Sequence, residues 1–479
     1  MLRLSLTLLL LGSLSGEALA QAVAAPVPAE RSLAPLTLAE LLAASARSSP
    51  QIVEQLARER QARSRALTAE GAFDTVFSVE SRSRALGYYD GAQVEARATR
   101  PFGDNGGYVY GAYRVSRGDF PVYEDQAHTN ELGEAKIGVL YALLRDRLVD
   151  ERRTRRTLAA SDIDIARFER QAVAIGVQTR AIIAYQNWVA AGRRLKAYRD
   201  LLALADSRRE GIERQVRLGA KPDILLTENE QNLVRRRALV VRAEGDMQAA
   251  ANTLSLYYRD ASGQPVVVDE GRLPTDTGAL AGPRTAATGA DPAAARPDLQ
   301  GLLRRVDQSQ ARLAQAENDL KPRFDLRMEV GKDIGPEGLG GPSRTPTEAV
   351  VGFRFSVPLQ NRAARGKIDE TRAEIDALQA RGRFLRDQIA VEVEGTGIAL
   401  YAAERLARAA EQERDLADRL ASAERRRFEL GSSDFFLVNQ REETATDAAV
   451  RLIEAQARIA LARAELAAAT VDHAALGLD

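Results

Sequence analysis

Hydrophobic and polar positions alternate in two parts of this chain and recur at helical spacing almost everywhere else. Residues 36–70 (LTLAELLAASARSSPQIVEQLARERQARSRALTAE) predict helix with one interruption around Pro50. From 73 onward the texture changes, and Phe73, Thr75, Phe77 and Val79 alternate with Asp74, Val76, Ser78 and Glu80. GYVYGAYRV (107–115) and AKIGVLYAL (135–143) continue the period of two, and Ile137, Val139, Tyr141 and Leu143 fall on one face. Eleven of the chain's 25 aromatic residues lie within 73–143, which supports strands, since rings are enriched in strands.

From Arg145 the pattern reverses. Residues 146–218 are charged, rich in Ala and Leu, and free of proline. At about 1.5 Å per residue such a helix would measure roughly 110 Å, too long for a compact domain. It ends at LGAKPD, where Gly219 suits a left-handed cap and Pro222 can open the next helix, predicted over 224–258. A Gly-, Pro-, Ala- and Thr-rich connector (261–296) follows, and then the same order returns. A helix is predicted at 298–320, alternating strands within 324–359, a second long helix at 361–430, a turn at LGSSD and a last helix at 435–474. Phe73-Asp74 and Phe324-Asp325 open corresponding strands, and Leu218-Gly219 and Leu430-Gly431 mark corresponding turns. We therefore divide the chain into a leader (1–20), a first repeat (21–260), the connector (261–296) and a second repeat (297–479).

Each half reads as supplying one hairpin, hence four strands per chain, with an apolar and a polar face. A lone hairpin leaves open edges, and these helices are too long and too polar to cover its apolar side. A membrane barrel removes the edges by closure and lets lipid cover the apolar face. Four strands cannot close a barrel with a usable lumen, so several chains must share one. The expected fold is mixed α and β: an oligomeric transmembrane β-barrel continued by a long α-helical barrel.

Composition narrows the chemistry. The 479 residues include no cysteine, which removes disulfides, thiolate metal sites and a cysteine nucleophile. Only His128 and His473 are present, and no Gly-rich phosphate loop, HExxH or GxSxG occurs. No catalytic residue, metal site or cofactor is expected. Sixty-seven basic residues balance 67 acidic ones, giving no electrostatic grip on nucleic acid. Arg3, the apolar run Leu4–Leu14 and Ala18-Leu19-Ala20 predict a secretory leader cleaved before Gln21. That run is too short for a membrane anchor, and no cysteine follows it to carry lipid.

Several segments together resemble the outer-membrane efflux protein family, the TolC-like channels of Gram-negative bacteria. They are LTLAELLAASARSSPQI, RPDL (296–299), FRFSVPLQNR (353–362), RQVRLGAKPDILLTENE (214–230) and RRFELGSSDFFLVNQRE (426–442). The resemblance implies a homotrimer with a twelve-stranded barrel in outer-membrane lipid and a large periplasmic helical tube. It also implies two partners, a periplasmic adaptor protein and an inner-membrane pump, and places the connector around the equator of the tube. Carried over by position, the adaptor-docking or gating tips are Gly219, Asp223, Gly431, Asp434, Phe435 and Phe436. Asp223 and Asp434 follow their glycines by fewer residues than in many relatives. Asp434 therefore reads either as a pore-facing carboxylate or as a helix N-cap. Phe435 and Phe436 could pack inside the tip or face an adaptor. The other class considered is a periplasmic coiled-coil adaptor or structural protein, which would carry its strands in a soluble sandwich.

Overall fold

The computed structural model describes residues 34–274 and 292–478. The predicted leader and the middle of the connector lie outside the described residues. The first helical stretch divides where proline predicts, into α1 (Leu38–Ser48) and α2 (Pro50–Glu70). Thr37 caps α1 by accepting from the Glu40 N–H at 3.2 Å, and Pro50 opens α2, where a missing N–H costs nothing.

Among the described residues six strands follow, not the expected four: β1 (Val76–Ser83), β2 (Ala92–Pro101), β3 (Tyr108–Arg117), β4 (Glu134–Ala142), β5 (Arg323–Asp333) and β6 (Glu348–Ser356). They form one sheet in chain order, and every neighbouring pair is antiparallel. The undercount of two has two sources: the three alternating segments within 73–143 already exceed the one hairpin allotted to that half, and a fourth strand, β2, has a weak pattern. In β2 the apolar positions are mostly Ala92, Ala96 and Ala98, so its alternation with Gln93, Glu95 and Arg97 carries little hydrophobic contrast. The two halves of the chain are consequently unequal, with four strands before the long helix of the first and two before that of the second.

The long helices are α3 (Glu151–Arg217) and α6 (Arg362–Glu429), of 67 and 68 residues. Each rises about 100 Å. Helix α3 starts five residues later than its charge pattern predicts. Asp146 takes a left-handed φ of +67° and Asp150 accepts from the Arg153 N–H at 2.8 Å, so the junction is a turn with its own cap. The shorter partners are α4 (Ile224–Leu254), α5 (Pro297–Asp319) and α7 (Phe435–Thr470), with a final turn, α8 (His473–Leu476). Along its first half α3 meets α2 through Arg170–Glu59 (2.8 Å) and α5 through Arg305–Glu169 (2.9 Å). Along its second half it meets α4 through Arg199–Glu244 (2.9 Å) and α7 through Arg194–Glu454 (3.7 Å). Helix α6 packs on α5 above and α7 below. Short helices thus stack end to end beside long ones. Their order across the bundle is α2–α3–α5–α6 at one level and α4–α3–α7–α6 at the other.

The largest core lies where the levels meet. Trp188 and Tyr185 of α3 pack with Leu36, Leu41, Leu254 and Val268, bringing the start of the chain and the described part of the connector against the helix junction. Tyr185 donates its hydroxyl to the Leu36 carbonyl at 2.8 Å, and burial pushes its pKa up to about 12. Beside it, burial raises the Glu40 carboxyl, but hydrogen bonds from Tyr258 and Arg272 outweigh this and hold it below the ordinary value. Among the described residues no helix is long and apolar enough to cross a membrane.

Candidate functional site: a two-faced sheet and two helical tips

Directly paired residues of an antiparallel sheet share a face. One row runs Phe77, Ala98, Gly111, Ile137, Val330 and Ala349 from β1 to β6. On the same face lie Val79, Val94, Met328 and Phe353, so it is apolar across all six strands. It is also bare: Phe77 is 68% exposed, Val351 71% and Phe353 76%, which water alone would penalise.

The opposite face is charged. Arg97 reaches Glu95 at 2.6 Å, Arg114 reaches Glu134 at 2.7 Å, and Lys136 reaches Glu134 at 2.8 Å. The Tyr110 hydroxyl donates to Glu329, and Arg97 stands 4.5 Å from the Tyr110 ring centroid. Tyr110 lies over Gly138, where a Cβ would come within 2.4 Å of the ring. Glycine is therefore required there to let the aromatic ring cross the ladder.

The two ends of the sheet differ. All the long helices leave from one end. The short β2–β3 turn points to that same end, and Asn105 ties it there by donating to the Ala142 carbonyl at 2.9 Å. At the other end the β3–β4 loop folds onto the β5–β6 loop. The Asn130 N–H donates to Asp333 at 2.9 Å, the Leu132 N–H donates to the Ile334 carbonyl at 3.1 Å, and Arg344 pairs with Asp125 at 3.3 Å.

Far from the sheet, α3–α4 and α6–α7 each turn through a left-handed glycine. Gly219 has φ +71° and Gly431 φ +75°. Both close Schellman motifs, with Ala220 N–H donating to the Gln215 carbonyl at 2.9 Å and Ser432 N–H to the Arg427 carbonyl at 2.8 Å. Asp434 is the N-cap of α7, accepting from the Leu437 N–H at 2.7 Å. Asp223 makes no such side-chain cap. Phe435 is buried with its ring 6.2 Å from that of Phe428, and Phe436 is 73% exposed.

Just above the tips lies a cluster that sequence reading missed. Arg236 of α4 is fully buried and donates to the Leu201 carbonyl at 2.9 Å and to Glu442 of α7 at 3.3 Å. Arg208 of α3 also pairs with Glu442, and Asn439 accepts from both arginines. Burial depresses the Arg236 pKa, and Glu442 offsets this only in part. Arg425 of α6 approaches the same carboxylate at 3.8 Å, so Glu442 joins four helices of the tip, α3, α4, α6 and its own α7.

These features, a sheet with one bare apolar and one charged face and a paired-helix bundle ending in two glycine turns, agree with a family match. Residues 292–470 match the outer membrane efflux protein family. The efflux-protein match spans α5, β5, β6, α6 and α7. The similarity in shape extends further. The open-state MtrE outer membrane channel of Neisseria gonorrhoeae aligns with TM-score 0.63 at 14% identity, covering 90% of this chain and 88% of that one. The outer membrane protein VceC of Vibrio cholerae aligns at 0.62 with 15% identity, over 90% and 95%. The Campylobacter jejuni CmeC outer membrane channel aligns at 0.59 with 12% identity, over 90% and 85%. The fold is that of the TolC-like channels. No curated protein matches the chain by sequence.

Proposed function

We propose that this chain is the outer-membrane channel of an efflux or secretion system, a passive duct of three copies carrying solutes from periplasm to exterior. The observation that carries the reading is the sheet: one apolar face exposed across all six strands, backed by a face of ion-paired charge. Lipid would cover the first and water in a lumen would hydrate the second. The strands are 8 to 11 residues long, close to the roughly 9–11 that a tilted membrane strand needs. Localisation in the outer membrane of a Gram-negative bacterium follows, with the helices in the periplasm.

The bundle is open in the manner an oligomer requires. Along the outer side of α6, Phe384, Val391 and Ile398 are exposed at heptad spacing, and on α4 Val234 and Val241 are exposed at the same interval. Helix α6 is an edge helix at both levels and α4 is the opposite edge helix at the tip-side level, so both leave exposed apolar side chains where a neighbouring copy would pack to close a tube. Continuing the two-repeat plan, the glycine tips at Gly219–Asp223 and Gly431–Phe436 would meet a periplasmic adaptor fed by an inner-membrane pump. Exposed Phe436 is the natural contact.

Substituting Gly219 and Gly431 by valine tests the tips. A Cβ at either glycine meets open space, so the cost is the left-handed backbone alone, about 1–2 kcal/mol per site. The expected result is a heat-modifiable trimer at wild-type level with export in a complemented channel-deletion strain reduced severalfold. Normal export would remove the tips from function. A chain extracted without detergent as a monomer would instead favour the soluble adaptor.

A further inference from the structure

The sheet has two open edges. β1 and β6 are each paired on one side only, and both are exposed over nearly their whole length. With six strands all antiparallel to their neighbours, β1 and β6 run in opposite directions. The β6 edge of one copy can therefore accept the β1 edge of the next as one more antiparallel pair. We propose, resting on the three-copy reading above, that this junction closes an eighteen-stranded barrel (three copies of six strands), half again as many strands as the resemblance implies.

The register supports this closure. Val76 lies in one row with Thr99, Tyr110, Gly138, Glu329 and Val350. The row enters β1 at its helix-side end but meets β6 near the opposite end. Strand centres thus shift by about one residue per strand. With a rise of about 3.3 Å and a spacing of about 4.8 Å this tilts the strands roughly 37°, within the range that membrane barrels adopt. Continuing the same shift across the junction places Phe353 opposite Val79 of the next copy. Apolar then meets apolar, and Arg354 and Glu80 fall on the charged face together.

The circumferences also agree. At every level each copy contributes four helices, so three copies give a ring of twelve. At about 9–10 Å between axes that ring measures roughly 110–120 Å around. Eighteen strands tilted by this amount measure about 108 Å around, whereas twelve would measure only about 72 Å. The strands that make the difference are not loose: their short turn is fixed to the helix end by Asn105, and Arg153 of α3 donates to the Asp104 carbonyl at 2.5 Å. At Gly107 a Cβ would stand 1.8 Å from the Leu140 carbonyl oxygen, so β3 and its turn lie directly against β4. The barrel so formed is in the size class of sixteen to eighteen strands that leaves an open aqueous channel.

The absence of cysteine in the chain makes the test direct. Single variants Phe77→Cys, Val94→Cys, Tyr113→Cys, Ile137→Cys, Met328→Cys and Phe353→Cys, one per strand, are labelled with a small environment-sensitive fluorophore. Each trimer is then reconstituted into vesicles of brominated phospholipid. Quenching at all six positions is expected. Quenching on only four strands would leave a twelve-stranded wall and overturn the proposal while preserving the channel. No quenching on any strand would instead overturn the membrane reading beneath it. In parallel, oxidised Val79→Cys/Phe353→Cys double variant should run as a covalent trimer. Failure to cross-link, with Val79→Cys/Ala96→Cys linking within the chain as a positive control, would remove the β6–β1 junction.

Discussion

Replacing Glu442 by alanine is expected to destabilise the tip half of the molecule by about 3–5 kcal/mol, because it strands a buried cation. Arg236 has no solvent contact, and its remaining acceptors would be the Leu201 carbonyl and Asn439. Arg208, mostly buried, would lose the same partner. The neighbouring Glu443→Ala is the control. Its partner Arg235 is more than half exposed, and a pair of that kind contributes at most about 1 kcal/mol. Limited proteolysis of the purified protein should cut Glu442→Ala within α4 and α7 at protease levels that leave Glu443→Ala intact. Equal resistance would mean that the cluster does not hold the tip together. Glu442→Ala combined with Arg236→Met should recover part of the loss, since a buried pair can be replaced by apolar packing at little cost.

Ile137→Arg is the second large effect. Ile137 lies near the middle of β4 on the exposed apolar face. At the bilayer midplane an arginine there costs about 2–4 kcal/mol. The expected outcome is a marked fall in folded, heat-modifiable trimer in the outer-membrane fraction. Gly352→Glu places a charge at the centre of β6 on the other face, opposite Arg327 and in open space, and should assemble normally. Equal assembly of both variants would contradict the assignment of the faces.

The long helices and glycine turns were legible because their signals are local. Leu218-Gly219 and Leu430-Gly431 end unbroken periodic stretches, and left-handed φ at a C-cap is something little other than glycine supplies. Of the two readings of Asp434, the N-cap of α7 is present as a hydrogen bond from the Leu437 N–H to its side chain. The strand count was not legible. Alternation in β2 rests on alanines, and it is the pairing along its length with β1 and β3 that places that segment in the sheet. The tip cluster was overlooked for a related reason. Arg236 sits in line with Leu233, Val240 and Met247, the buried stripe of α4, and Asn439 and Glu442 sit in line with Phe435, Val438 and Ala445. A polar residue interrupting an apolar stripe was the available signal, but in helices this charged it becomes distinctive only once the partner helix is placed. Start points such as Glu151 were missed because Asp146 and Asp150 fit a charged helical pattern while forming a turn and a cap.

The central claim is that the sheet forms the wall of a water-filled membrane pore. Single-channel recording of the detergent-purified protein in a planar lipid bilayer tests it most directly. The account predicts discrete conductance steps from the wild-type chain, and their loss in proportion to lost assembly for Ile137→Arg. A detergent-free, monodisperse protein that gives no conductance at any applied voltage would contradict it.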